Sequence, residues 1–318
     1  MEMICRRPYP ATLSDLPNEI LTVILGYFCL HCRDPNETAH AFFPDAGQDR
    51  MKQSWCTLDC QVLYSMCLVS SRFTDVAQAV LYHQFSPGYG DSQYSAVHSW
   101  ERRLLPFLRT VTLRPDLAVH VRRVMLCFKI FDELQDNDGQ DVETVFETAA
   151  RTRGFSLLNF LSPFRKLWAE IWDRGYRPGV DETICLLLAC LPNLASFSFP
   201  TGRLAKGIPF PALLAAGTSS LSIQTVDIWL GGKEAGSRLA ALLNLIPSGI
   251  RTLNLSRCDD SALRGLCPTA SVRNVCIVGD LLTGPSFAQV LSLCGPLESV
   301  VFEAGRSETF DERNACRS

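Results

Sequence analysis

One six-residue pattern of apolar positions, Φ-x-x-Φ-x-Φ, returns five times in the second half of the chain and restricts the possible folds more than any other feature. It reads Leu194, Phe197, Phe199 in LASFSF, then Ile223, Val226, Ile228 in IQTVDI and Ile250, Leu253, Leu255 in IRTLNL. It continues as Val272, Val275, Ile277 in VRNVCI and Leu297, Val300, Phe302 in LESVVF. The last two apolar positions of each copy alternate with polar or small residues, which is the period of a strand. Helix-like segments separate the copies. Thr183 to Leu191 stops before Pro192; Ala235 to Ile246 carries Leu239, Leu242, Leu243 and Ile246 on one stripe; Phe287, Val290, Leu291 and Leu293 follow Pro285 and end at Gly295-Pro296. A strand with one helix cannot bury its apolar side alone, so such units must stack into one continuous core.

The copies start roughly 22 to 29 residues apart, the period of leucine-rich repeats, which this region resembles. Cys258 falls at the Asn/Cys position of that repeat, where the other copies hold Gly202, Gly231, Asp280 and Gly305. Two earlier matches, Leu108-Val111-Leu113 and Val121-Val124-Leu126, stand too close together for each to carry a whole repeat. The span from Val142 to Trp172 interrupts the series with two expected helices; in it Phe164, Trp168 and Trp172 share one helical stripe that reads as core packing. The fold class implied is α/β, with a degenerate leucine-rich-repeat-like strand/helix solenoid over 104–305. In such a solenoid the residues between the alternating apolar positions point to the concave face. Trp229 is the expected aromatic anchor for a bound protein on that face, with Asp227 and Asn254 as polar companions.

The start of the chain has a different character. LSDLPNEILTVILGYF, residues 13–28, reads as a helix with almost no solvent side. Asn18, Thr22 and Gly26 recur at i, i+4 and i+8 as one narrow stripe, and apart from Glu19 apolar residues cover the rest. A helix apolar nearly all round must be buried on more than one face. Ser14 or Asp15 is the expected cap, with Pro17 in the first turn. Further on, Phe73, Val76, Ala77, Val80 and Leu81 mark an amphipathic helix capped by Ser70 or Ser71, preceded by a shorter one around Leu58 to Met66.

These stretches resemble the F-box family, through LP-x-EI-L-x-x-IL at Leu16, Pro17, Glu19, Ile20, Leu21, Ile24 and Leu25, then L-x-LVS-x-x-F at Met66, Leu68, Val69, Ser70 and Phe73. Met66 stands where the family has an aliphatic residue. LYHQF, Leu81 to Phe85, is similar to the end of the family's third helix. The resemblance implies a non-catalytic substrate receptor of a Skp–cullin–F-box ubiquitin ligase, docking on a Skp-family adaptor that joins it to cullin and RING subunits. Adaptor contacts are expected at Leu16, Pro17, Ile20, Ile24, Leu25, Leu68, Val69 and Phe73, and an unidentified protein target on the repeats. Alternatives are an F-box scaffold acting without cullin and a zinc-stabilised interaction module. Residues 81–95 and the RPDLA segment after them are also similar to F-box proteins of filamentous ascomycete fungi. The expected organisation is a tail at 1–12, an F-box at 13–85, a hinge at 86–103 containing Pro87, Gly88 and Gly90, the solenoid at 104–305 and a polar tail at 306–318.

One departure from the family is the long connection at 29–57, since loops of that length inside a compact unit are uncommon. It holds Cys29 and Cys32 and closes on Cys56 and Cys60, a spacing near that of a structural zinc site. These four are a weak metal candidate; the expectation is no cofactor, with the 14 cysteines serving mostly as small buried hydrophobes.

With 47% hydrophobic and 20% charged residues the 318-residue chain has the balance of a globular protein of about two domains. A net charge of −3 without a dense basic run argues against nucleic acid as the partner. The absence of a long apolar run argues against membrane, and the N-terminus lacks the apolar core of a secretory signal. A cytoplasmic or nuclear location is expected. No nucleophile elbow, phosphate loop or dinucleotide fingerprint is present; Gly231-Gly232-Lys233 lacks the remaining glycines, so an enzyme is not expected.

Overall fold

The computed structural model describes residues 12–33, 55–87, 103–126, 180–200, 222–229, 249–256, 271–279 and 284–304, with isolated positions at 130, 144–145, 147–149, 151–152 and 260. The expected helix at 235–246, Phe164, Trp168, Trp172, Cys258, both chain tails and most of 29–57 and 86–103 lie outside them.

A single turn of 3-10 helix, Leu13–Asp15, opens the described chain. The Asp15 carboxylate accepts from the Thr12 backbone N–H and hydroxyl, each at 2.8 Å. Asp15 therefore closes its own turn rather than capping the following helix. That helix, α1 (Asn18–Gly26), starts from Pro17, whose carbonyl accepts from the N–H groups of Ile20 and Leu21. Pro17 thus stands just ahead of the first turn, where its missing N–H costs nothing.

Helix α2 (Leu30–Arg33) follows, then α3 (Trp55–Val69) and α4 (Ser71–Leu81). The expected long connection is shorter than 29–57, because α2 and the first turn of α3 occupy both its ends. Ser70 is the cap of α4, its hydroxyl accepting from the Phe73 N–H. Leu21, Leu25, Leu63, Phe73, Val76, Ala77 and Val80 form a core among α1, α3 and α4. The Arg72 guanidinium donates to the Leu16 carbonyl, pinning the entry of α1 to the start of α4.

Helix α4 stops at Leu81, two residues before β1 (Gln84–Phe85). LYHQF therefore begins at the end of helix α4, at Leu81, and runs on through a turn at Tyr82 and His83 into strand β1. The expected boundary after Phe85 does not separate the sheet from what precedes it, since β1 is already part of the sheet. Past it come α5 (Leu104–Leu113), α6 (Pro115–Ala118), β2 (Arg123–Met125), α7 (Val180–Cys190) and β3 (Ser196–Pro200). Then come β4 (Thr225–Trp229), β5 (Thr252–Ser256), β6 (Asn274–Gly279), α8 (Gly284–Leu293) and β7 (Ser299–Ala304).

Among the described residues, seven strands lie in one parallel sheet in chain order, each paired with its sequence neighbours. Of the two early pattern matches, Leu108-Val111-Leu113 belongs to helix α5 and Val121-Val124-Leu126 to strand β2 and its flanks. The middle apolar position of every copy is in register: Val124, Phe197, Val226, Leu253, Val275 and Val300 are successive partners. That stack from Val124 to Val275, with Leu194, Ile223, Ile250 and Val272 ahead of the strands and Leu104, Leu108, Val111, Ile184 and Leu187 from α5 and α7, forms the large core. Burying each such side chain contributes roughly 1.5–3 kcal/mol. Among the described residues, no helix is long and apolar enough to cross a membrane.

Candidate functional site

The helical unit satisfies its own core and still has apolar side chains to spare. On α1 Ile20 and Val23 are exposed, as is Tyr27 at its C-cap, the last two at 61% and 68%. On α3, Leu58, Val62, Tyr64, Leu68 and Val69 are exposed, Leu68 at 69% and Val69 at 65%. Ile20, Val23 and Tyr27 are spaced i, i+3, i+7, one face of a helix, while Leu21 and Leu25 point the opposite way into the core. Isolated exposed apolar residues are ordinary, but this many on two helices of one small unit is more than a scatter.

The eight residues expected at an adaptor contact divide by burial. Leu25 and Phe73 are core residues, and Leu16 and Ile24 are half-buried. Pro17, Ile20, Leu68 and Val69 face outward. Val23, Tyr27, Leu58, Val62 and Tyr64 belong to the same exposed set, although the motif did not single them out. Surplus apolar character around α1 was the available signal.

On the sheet, the expected capture residues are arranged otherwise. Asp227 and Asn254 are each 3% exposed, on neighbouring strands and directly paired in register. The Asn254 amide donates to one Asp227 carboxylate oxygen and the Ser198 hydroxyl donates to the other. Buried polar groups need such partners, because an unmet one costs its desolvation. These side chains thus hold β3, β4 and β5 together, and the expectation that they present themselves to solvent is corrected. Trp229 ends β4; its side chain lies outside the described residues. Exposure returns at β7, where Ser299, Val300, Val301 and Phe302 are open to solvent.

The four candidate zinc cysteines form two separate pairs. Cys29 and Cys32 sit at the end of α1 and on α2, beside His31 and His83. Cys56 and Cys60 lie one turn apart on α3 and do not join that group. The Gln84 side chain stands between the pairs, its amide donating to the Cys56 sulfur at 3.6 Å. Hydrogen bonds from Cys29, His31 and His83 hold the Cys32 thiol far down, at about 3, while Cys29 is pushed up by Cys32 and by burial. Cys56 is likewise raised by Cys60 and burial, and Cys60 is lowered by Cys56. Of these four, Cys29, Cys32 and Cys60 are free thiols.

Comparison with family models gives no match to the chain, and comparison with curated proteins gives none either.

Proposed function

We propose that the chain is a substrate receptor of a Skp–cullin–F-box ubiquitin ligase: an F-box made by α1 to α4, continuous with a degenerate leucine-rich-repeat-like solenoid. The observation that carries this reading is the exposed apolar set on α1 and α3, in a unit whose own core is complete without it. Its position coincides with the LP-x-EI-L-x-x-IL and L-x-LVS-x-x-F motifs, which supply Pro17, Ile20, Leu68 and Val69 to the outer surface. Helices that offer an apolar face to a hydrophobic groove are a recurrent recognition mode. In this reading the occupant is a Skp-family adaptor.

The chain's contribution is then proximity rather than chemistry. It holds a target beside a charged ubiquitin-conjugating enzyme, so that transfer becomes effectively intramolecular. Target capture falls to the sheet's outward surfaces. Asp227 and Asn254 act there by fixing the strands that carry Trp229 and its neighbours, and the open face of β7 extends the surface.

The test is capture of the full chain by a purified Skp-family adaptor, beside an Ile20→Asp/Leu68→Asp variant. Both residues are exposed, so the variant keeps its fold by circular dichroism. Capture of the wild type and its loss in the variant support the proposal. A folded wild-type chain that the adaptor does not retain refutes it. Co-capture of cullin with the adaptor separates a ligase receptor from an F-box scaffold that acts without cullin.

A further inference from the structure

Two thiols and two imidazoles converge at one point of the helical unit. The ligand-capable atoms of Cys29, His31, Cys32 and His83 all lie within 4.8 Å of one another. His83 Nδ1 stands 3.2 Å from the Cys32 sulfur and 3.9 Å from that of Cys29. His31 Nδ1 is 3.7 Å from the Cys32 sulfur. The two rings meet edge to face, with centroids 5.3 Å apart. In a tetrahedral zinc site, with Zn–S near 2.3 Å and Zn–N near 2.0–2.1 Å, sulfur and nitrogen ligands stand about 3.5 Å apart. The observed separations bracket that value.

We propose that Cys29, His31, Cys32 and His83 form a structural Zn2+ site of the Cys2His2 type, clamping the end of α1 and helix α2 to the turn between α4 and β1. The donor set selects the metal: two sulfurs and two imidazole nitrogens in a closed arrangement suit zinc, whereas magnesium and calcium require oxygen ligands. As thiolates the cysteines carry two negative charges, which one divalent ion neutralises.

The surroundings position the ligands as such sites require. Gln84 Oε1 accepts a hydrogen bond from the His31 backbone N–H at 3.1 Å, an outer contact that orients the segment carrying that ligand. The His83 carbonyl accepts from the N–H groups of Arg122 and Arg123 at 2.8 and 3.0 Å, fixing the backbone that carries the remote ligand. Gly26 lets α2 fold closely onto α1, since a Cβ there would stand 3.4 Å from the Cys32 Cβ. Cys29 is fully buried and Cys32 lies at the surface, which gives an ion its way in. The proposal does not depend on the adaptor reading, because a structural metal would serve this fold whatever it binds.

The experiment uses the full chain, purified under reducing conditions, with Zn2+ and Co2+ as probes. Zinc content by elemental analysis is expected at one ion per chain. It is expected to fall at least about tenfold in Cys32→Ser and in His83→Ala, and to persist in Cys60→Ser. The Co2+ form of the wild type is expected to show tetrahedral d–d bands and a sulfur-to-cobalt charge-transfer band of the strength two thiolates give. That spectrum reads the ligand set even where a variant does not fold. The proposal is overturned by a folded, reduced wild-type chain that takes up no stoichiometric zinc, or by zinc that survives His83→Ala. Loss of zinc in a folded Cys60→Ser chain, or a band of three- or four-thiolate strength, overturns it equally.

Discussion

His83 and Cys32 lie 3.2 Å apart, ring nitrogen to sulfur, joining the turn that enters the first strand to the short helix behind α1. The contact rests on close packing of α2 on α1 at Gly26, where a Cβ would stand 3.4 Å from the Cys32 Cβ. Gly26→Ala places one methyl at ordinary contact distance and gains helix propensity, so its stability is expected to stay within about 1 kcal/mol of wild type. Gly26→Val adds carbons with nowhere to go and is expected to cost about 1–3 kcal/mol. Urea unfolding of the two variants, compared at constant m-value, checks the contrast.

The exposed apolar set predicts a separation of binding from stability. Val23→Asp removes nothing from the core, so its stability is expected to change by less than about 0.5 kcal/mol. Adaptor capture by the same variant is expected to be lost. A large fall in melting temperature would instead assign Val23 to the fold.

Along the ladder, the cost of truncation follows burial. Phe197 is fully buried and stacks on Phe199 at 5.1 Å between ring centroids. Phe197→Ala is expected to destabilise by about 3–5 kcal/mol. Val300 holds the equivalent position on β7 but is 42% exposed, and Val300→Ala is expected to cost less than about 1 kcal/mol. Chemical denaturation of both variants tests the gradient.

Asn254→Ala takes away an amide that donates to the buried Asp227 carboxylate. Leaving that oxygen short of a donor is expected to cost about 1–3 kcal/mol. Asn254→Asp sets a second carboxylate beside the first and is expected to cost more at neutral pH than at acid pH, where protonation relieves the repulsion. Melting curves across pH distinguish the two.

The Asp15 carboxyl is held below its ordinary value of 3.8 by the Thr12 backbone N–H and hydroxyl, with Arg72 adding to the effect. A depressed folded-state pKa means that the stabilisation is present above the unfolded value and is lost as pH falls through the folded one. Asp15→Ala is therefore expected to lower the melting temperature slightly near pH 7 and not at all near pH 2. An NMR titration of the Asp15 side chain gives the lowered midpoint directly.

The parallel sheet was legible because its signal repeats: five copies of one pattern fix which residues stack, and the register follows. The earlier matches were not separable by pattern, since Leu108 and Val111 stand at a helical spacing while Val111 and Leu113 stand at a strand one. Only packing decides, and it puts the first in α5 and the second in β2. Strand β1 is two residues long, too short to carry any period. Alternation also gave the side of the strand on which Asp227 and Asn254 sit, but not their burial, which depends on distant chain. His83 was unreadable as a partner of Cys32 for the same reason, because the helical unit must fold before the two meet.

Only Tyr82 and His83 separate α4 from β1, and the His83 carbonyl is tied to β2 by two hydrogen bonds. A connection this short and this tightly held leaves no swivel between helices and sheet. Seven strands at about 4.8 Å spacing then make a ruler of about 29 Å from first to last. Whatever seats on the far strands then stands at a set distance from whatever seats on the helices.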